Sequence, residues 1–111
     1  MTKITTHILD TSLGKPAAQV RVWLEKIDGQ QGIRINEAHT DDDGRATALT
    51  PDGVAPGNYR LYADVGHYFA ATGRETLYNL AIIDVIISAS QAHYHLPILL
   101  SPYSYSTYRG S

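Results

Sequence analysis

The sequence predicts an all-β fold, a β-sandwich of about seven or eight strands. Apolar residues recur at period two along several short segments, turn residues bound those segments, and helical periodicity is almost absent. The 111 residues lie well below the size at which chains split, so one domain spanning 1–111 is the expectation. A content of 43% hydrophobic and 18% charged residues matches an ordinary globular surface around a real core. Disordered and fibrous structures are excluded on that composition.

Each element has its own warrant. The first strand is ITTHILD, in which His7 and Ile8 are opposite in phase and must project to opposite faces. Val20, Val22 and Leu24 then alternate with Gln19, Arg21 and Glu25, which is a strand with one wet face. After the Asp28-Gly29 turn signal, 31–39 repeats the pattern, with Ile33 and Ile35 on one side and Arg34 and Asn36 on the other. Together the two runs predict a hairpin. Behind Pro56-Gly57-Asn58, Tyr59, Leu61 and Ala63 alternate with Arg60, Tyr62 and Asp64 as a further half-buried strand. Leu80 to Ser88 is apolar on both faces apart from Asp84 and rich in β-branched residues, which predicts a strand covered on both sides or an oligomeric sheet. The one helical stretch, Gly73 to Asn79, is a short connector that needs tertiary support.

Several function classes fall away at once. Nine Lys plus Arg against eleven Asp plus Glu give a net charge of -2, with no surplus to neutralise phosphates, so nucleic acid is not an expected partner. Cysteine is absent, which removes disulfides, thiolate nucleophiles and sulfur metal ligands. No segment approaches the roughly 18 apolar residues of a membrane span, and the first twenty residues hold no apolar leader core. A cytoplasmic location is the expectation, although a mature periplasmic form would read the same from residue 4 onward.

Chemistry must then use oxygen and nitrogen, and the five histidines are an unusual share of groups that titrate near neutrality. His39 and His67 sit beside turn signals and read as solvated loop residues. His93-Tyr94-His95 is sharper, because residues two apart on a strand share a face and both imidazoles can reach one ligand. With His7 as a third nitrogen this set also suits a zinc hydrolase, which keeps one open water position. Pro97 directly follows and marks an edge, an irregularity or a strand end.

Asp41-Asp42-Asp43-Gly44 lacks the alternating ligands and terminal Glu of an EF-hand and reads as a turn with solvated acids. Arg45 leaves that turn into the apolar run Ala46 to Leu49, where a guanidinium needs a partner or a ligand. Its fork of donors suits an imide, urea or carboxylate. The tail SPYSYSTYRGS is aromatic and hydroxyl-rich, unlike a frayed end. Read as a strand, it places Tyr105, Thr107 and Arg109 on one face and Ser106 and Tyr108 on the other.

Three segments, ITTHILDTSLGKPA, TDDDGR and HYHLPILLSPYSYSTYRGS, together resemble the transthyretin-like 5-hydroxyisourate hydrolase family. The closing Tyr108-Arg109-Gly110-Ser111 is that family's hallmark and separates it from the hormone-carrying transthyretins. The chain departs from the family before the two-faced strand, where Leu77-Tyr78-Asn79-Leu80 stands in place of a Phe-Phe-Pro-like segment.

The resemblance implies a transthyretin-like β-sandwich of two four-stranded sheets with one short helix. It also implies a homotetramer, a dimer of dimers whose sites lie in a channel at the dimer interface. The implied activity is hydrolysis of 5-hydroxyisourate, the product of urate oxidase, to 2-oxo-4-hydroxy-4-carboxy-5-ureidoimidazoline, without metal or cofactor. His7 and His95 match the family's functional histidines, Arg45 its arginine, and Tyr108 to Ser111 its tail. On this reading His7, Arg45, His95 and Ser111 are catalytic, while His7, Arg45 and Tyr108 bind substrate, and His93 is structural or peripheral. The competing expectation is a non-catalytic binding module that carries a small ligand in the same channel.

Overall fold

The computed structural model describes residues 1–111 and consists of nine strands and one helix. They are β1 (Lys3–Asp10), β2 (Lys15–Pro16), β3 (Arg21–Asp28), β4 (Gln31–His39), β5 (Arg45–Ala46), β6 (Gly57–Ala63), α1 (Val65–Ala71), β7 (Ala81–Ile87), β8 (His93–Ser101) and β9 (Ser104–Thr107). One sheet runs β4-β3-β6-β7. The other runs β2-β1-β8-β9, with β5 also paired to β1, so it has five strands where four are expected. The addition comes from the two-residue pairings of β2 and β5 along β1.

The sandwich closes because the period-two apolar sets of both sheets turn inward. Ile4, Ile8, Ile98 and Leu100 of one sheet meet Val22, Leu24, Tyr59, Leu61 and Ile83 of the other, all buried. At about 25 cal/mol per Å² of apolar surface, each such side chain contributes roughly 2 kcal/mol, and this burial fixes which face of β1 and β8 looks outward. The buried threonines are satisfied: Thr6 donates its hydroxyl to the Leu96 carbonyl at 2.6 Å, and Thr50 accepts the Ile4 N–H at 2.9 Å. No buried side-chain nitrogen or oxygen lacks a partner.

Elsewhere the structure differs from the expectations. The helix is Val65–Ala71, not Gly73 to Asn79. Asp64 caps it by accepting the His67 N–H, Val65 and Phe69 bury one face, and Gly73, at φ 71°, ends it. The 77–80 segment is held in place of a helix by tertiary contacts: Tyr78 packs edge-on against Tyr105 at 5.1 Å, and the Asn79 carbonyl accepts the Gly66 N–H. His67 therefore lies in α1 and His39 ends β4, both exposed.

β7 buries Ala81, Ile83 and Ile87, while Ile82 and Ile86 face outward, the latter 79% exposed. Within one chain only one of its faces is covered. Nor does Pro97 mark an edge or an end, since it sits inside β8 between β1 and β9. The ladder to β9 breaks there: Ile98 pairs with Thr107 and His95 with Gly110, so the segment opposite Pro97 needs no donor from it. No helix is long and apolar enough to cross a membrane.

Candidate active site

The site is built on the outer face of the five-stranded sheet. β1 and β8 run parallel, with Thr5 opposite His95 and His7 opposite Pro97. Because Ile4, Thr6 and Ile8 are buried, Thr5 and His7 must point outward. The same alternation turns His93 and His95 to that side, since Leu96 and Ile98 are core residues. The His7 and His95 rings lie 6.5 Å apart between centroids, and those of His93 and His95 6.2 Å apart.

The acidic turn delivers the guanidinium. Asp41 Oδ1 accepts the N–H groups of Asp43 and Arg45, at 2.9 and 3.0 Å, which makes the segment a local turn with no ligand cage. Gly44 adopts φ 78°, and its carbonyl accepts the Ile8 N–H at 2.7 Å; a Cβ there would clash with the Ile8 carbonyl oxygen. That close approach places Arg45 in register with His7. Arg45 is exposed and belongs to none of the four ion pairs, so its donors are free for a ligand.

Hydrogen bonds fix the imidazoles. His7 Nε2 lies 2.8 Å from the Asp43 carbonyl oxygen, which only accepts, so Nε2 carries the proton and Nδ1 is left for a ligand. His95 is partly buried, and burial pushes its pKa below the ordinary histidine value, helped by His93, Arg45 and His7 nearby. The shift favours its neutral form. Thr5 Oγ1 lies 2.7 Å from His93 Nε2 and 2.7 Å from His95 Nδ1. One nitrogen of each of the three imidazoles is thus engaged with Asp43 or Thr5, and the three are not assembled into a cluster of metal-ligating side chains.

The tail is ordered only in part as predicted. Alternation holds through Thr107, whose hydroxyl donates to the Pro97 carbonyl at 2.7 Å. Beyond it the strand ends, and Tyr108 and Arg109 both line an apolar cleft of about 330 Å³ with Ile83, Ile87 and Tyr94. Gly110 returns to β8 and donates its N–H to the His95 carbonyl at 2.8 Å. In one chain, then, His7, Arg45, His95 and Gly110 come together and Ser111 follows at the exposed end, whereas Tyr108 lines a cleft that neither histidine nor Arg45 lines. Thr5 joins this cluster with no motif of its own. Its only signal in the sequence is that it lies two residues before His7 and so shares its face.

The HIUase/Transthyretin family model matches residues 4–110. The chain belongs to this family. Among the family's members, the 5-hydroxyisourate hydrolase of Caulobacter vibrioides is 44% identical over 115 residues, covering 100% of both chains. The solved structure of Klebsiella pneumoniae 5-hydroxyisourate hydrolase is 39% identical, covers 100% of both chains and superposes with a TM-score of 0.90. Sea bream transthyretin in complex with thyroxine superposes with a TM-score of 0.91 at 27% identity, covering 97% of this chain and 94% of that one. Membership of the HIUase/Transthyretin family accounts for the two-sheet sandwich, and identity is higher to the hydrolases than to the thyroxine-bound transthyretin.

Proposed function

We propose that this chain hydrolyses 5-hydroxyisourate, opening the six-membered ring to 2-oxo-4-hydroxy-4-carboxy-5-ureidoimidazoline in urate degradation. The observation that carries the reading is the convergence of two histidines with different hydrogen-bond roles and one unpaired arginine on a single exposed face.

Hydrolysis of a cyclic amide needs an activated water, stabilisation of the tetrahedral oxyanion and a proton for the departing ring nitrogen. His95, neutral and partly desolvated, removes the proton from water. His7, with Nε2 donating to Asp43, offers Nδ1 to orient that water or the substrate's N–H. The Arg45 fork holds the carbonyl oxygens where negative charge develops. Tyr108 and Ser111 complete the pocket, and no step requires a metal or cofactor. The proton taken by His95 returns to the ring nitrogen as the carbon–nitrogen bond breaks.

The assembly is a homotetramer with its sites at the dimer interface. Exposed Ile82 and Ile86 on β7, and the open edges of β7 and β9, support a covered state in solution. The likeness to a transthyretin in complex with thyroxine favours one alternative, a non-catalytic binding module. A channel for an apolar ligand calls for aliphatic lining, whereas His7, Arg45 and His95 suit a small, polar, nitrogen-rich substrate.

The test adds the protein to urate and urate oxidase and follows the hydroxyisourate absorbance against its spontaneous decay. Acceleration that survives a strong chelator is the expected result. No acceleration at micromolar protein, with the tetramer intact, rejects the hydrolase and leaves the binding module.

A further inference from the structure

We infer that Thr5 is a positioning residue that ties His93 to His95 through one shared hydroxyl proton, holding His95 with its proton on Nδ1 and its Nε2 bare toward the site. The inference deepens the hydrolase reading and rests on it for the catalytic step, but not for the arrangement of protons.

The geometry leaves few options. Thr5 Oγ1 stands 2.7 Å from both His93 Nε2 and His95 Nδ1. A hydroxyl has one proton, so it donates to one ring nitrogen and accepts from the other. If it donates to His95 Nδ1, the neutral His95 carries its proton on Nε2 and offers no lone pair there. If it donates to His93 Nε2, the proton of His95 sits on Nδ1, and Nε2 is free to act as a base. Only the second arrangement survives protonation of His95, because the imidazolium keeps Nδ1–H as donor and its hydrogen bond to Thr5 becomes charge-assisted. The groups that face His95 are His7 from β1, Arg45 from β5 and His93 from its own strand, while the tail presents the side-chain-free Gly110. All three can carry positive charge, so a proton arriving on His95 meets repulsion unless part of it moves away.

The shared hydroxyl gives it that route. When His95 Nε2 takes a proton from water, the Nδ1 proton passes to Thr5 Oγ1, whose own proton passes to His93 Nε2. One proton leaves water and one is gained by His93; His95 ends neutral with its proton on Nε2, placed to be donated. Reversal restores the starting tautomer once that proton has gone to the leaving nitrogen. His93, which has no reason to touch substrate, thereby acquires a role through Thr5.

The test uses the full-length protein with ¹⁵N-labelled histidine. Long-range proton–nitrogen spectra of the wild type should show His95 protonated on Nδ1 and bare on Nε2 at neutral pH. Thr5→Val keeps the β-branched shape and the strand, which circular dichroism checks, but removes the hydroxyl; His95 should then lose its single tautomer. In the coupled assay kcat should fall about tenfold with KM little changed, a part of the usual acid–base contribution. Thr5→Ser should restore both the tautomer and kcat. A wild-type His95 protonated on Nε2, or a Thr5→Val protein with the tautomer and kcat unchanged, overturns the inference. A wild type that shows the expected tautomer yet no hydrolysis supports the shared hydroxyl and removes only the hydrolase reading.

Discussion

Gly110 lies against the His95 ring: its N–H donates to the His95 carbonyl at 2.8 Å, and a Cβ on it would sit 2.7 Å from His95 Cδ2 and 3.2 Å from Pro97 Cγ. Because those neighbours are a ring and a proline held in the central strand, neither can swing aside as a flexible side chain would. Gly110→Ala must therefore push the tail off β8 or rotate His95. The expected outcome is a fall in kcat of about tenfold or more, as misplacement of a general base predicts. The thermal midpoint should hardly move, since residue 110 lies outside the core. An unchanged kcat would separate the tail from the positioning of His95.

His93 and His95 share a strand face, and the proposed mechanism gives them different roles. His95→Asn removes the group whose pKa is lowered and whose ring meets both His7 and Gly110, and turnover should drop by roughly 10² or more. His93→Asn leaves that ring in place and keeps an acceptor for the Thr5 hydroxyl, losing only the relayed proton, so turnover should fall by no more than the roughly tenfold loss of Thr5→Val. Steady-state kinetics on both variants decide this. Equal losses, together with tightly bound stoichiometric zinc, would point to a shared metal site.

Most strands are legible because one face is wet and the other dry: Val22, Leu24 and Leu61 are fully buried where the alternation places them. The helix is not, since its seven residues bury only Val65 and Phe69, contain Gly66, and begin at an Asp64 that also continues the alternation of β6. For the site, period two puts His93 beside His95. That β1 lies parallel to β8, bringing Thr5 and His7 to them across about ninety residues, is a non-local pairing that no local pattern encodes. His7 and Arg45 are recognisable as site residues through family motifs. Thr5, an ordinary strand residue by propensity, has only its parity with His7.

Asp10 should control acid stability. Its side chain is fully buried and accepts hydrogen bonds from Arg74 and Ser12, each at 2.6 Å, and from Tyr68 at 2.7 Å. Burial alone raises its pKa, but these hydrogen bonds and the Arg74 charge outweigh it and hold the carboxyl at about 2. The folded value is below the unfolded value of about 3.9, so the stabilisation is present above pH ~4 and is lost as pH falls through about 2. It amounts to roughly 2 kcal/mol at neutral pH. Asp10→Asn should lower the midpoint of thermal unfolding at pH 7 and flatten its decline between pH 4 and 2. A variant that keeps the full acid decline would assign it to other carboxylates.

Chain ends usually tolerate deletion at little cost, and the last four residues test whether this end is different. β9 stops at Thr107, so removing Tyr108 to Ser111 leaves every strand ladder in place and costs only the Gly110 bridge to His95. What goes with it is the packing of Gly110 on the His95 ring, the Tyr108 and Arg109 wall of the cleft, and the hydroxyl and terminal carboxylate of Ser111. Hydrolysis should therefore be abolished while circular dichroism still reports β-structure. Light scattering on the same preparation is needed, because the cleft lies between the exposed edges of β7 and β9, and loss of assembly would also silence the site. Full activity in an intact truncated tetramer would make the tail a surface strand and remove Tyr108 and Ser111 from the site.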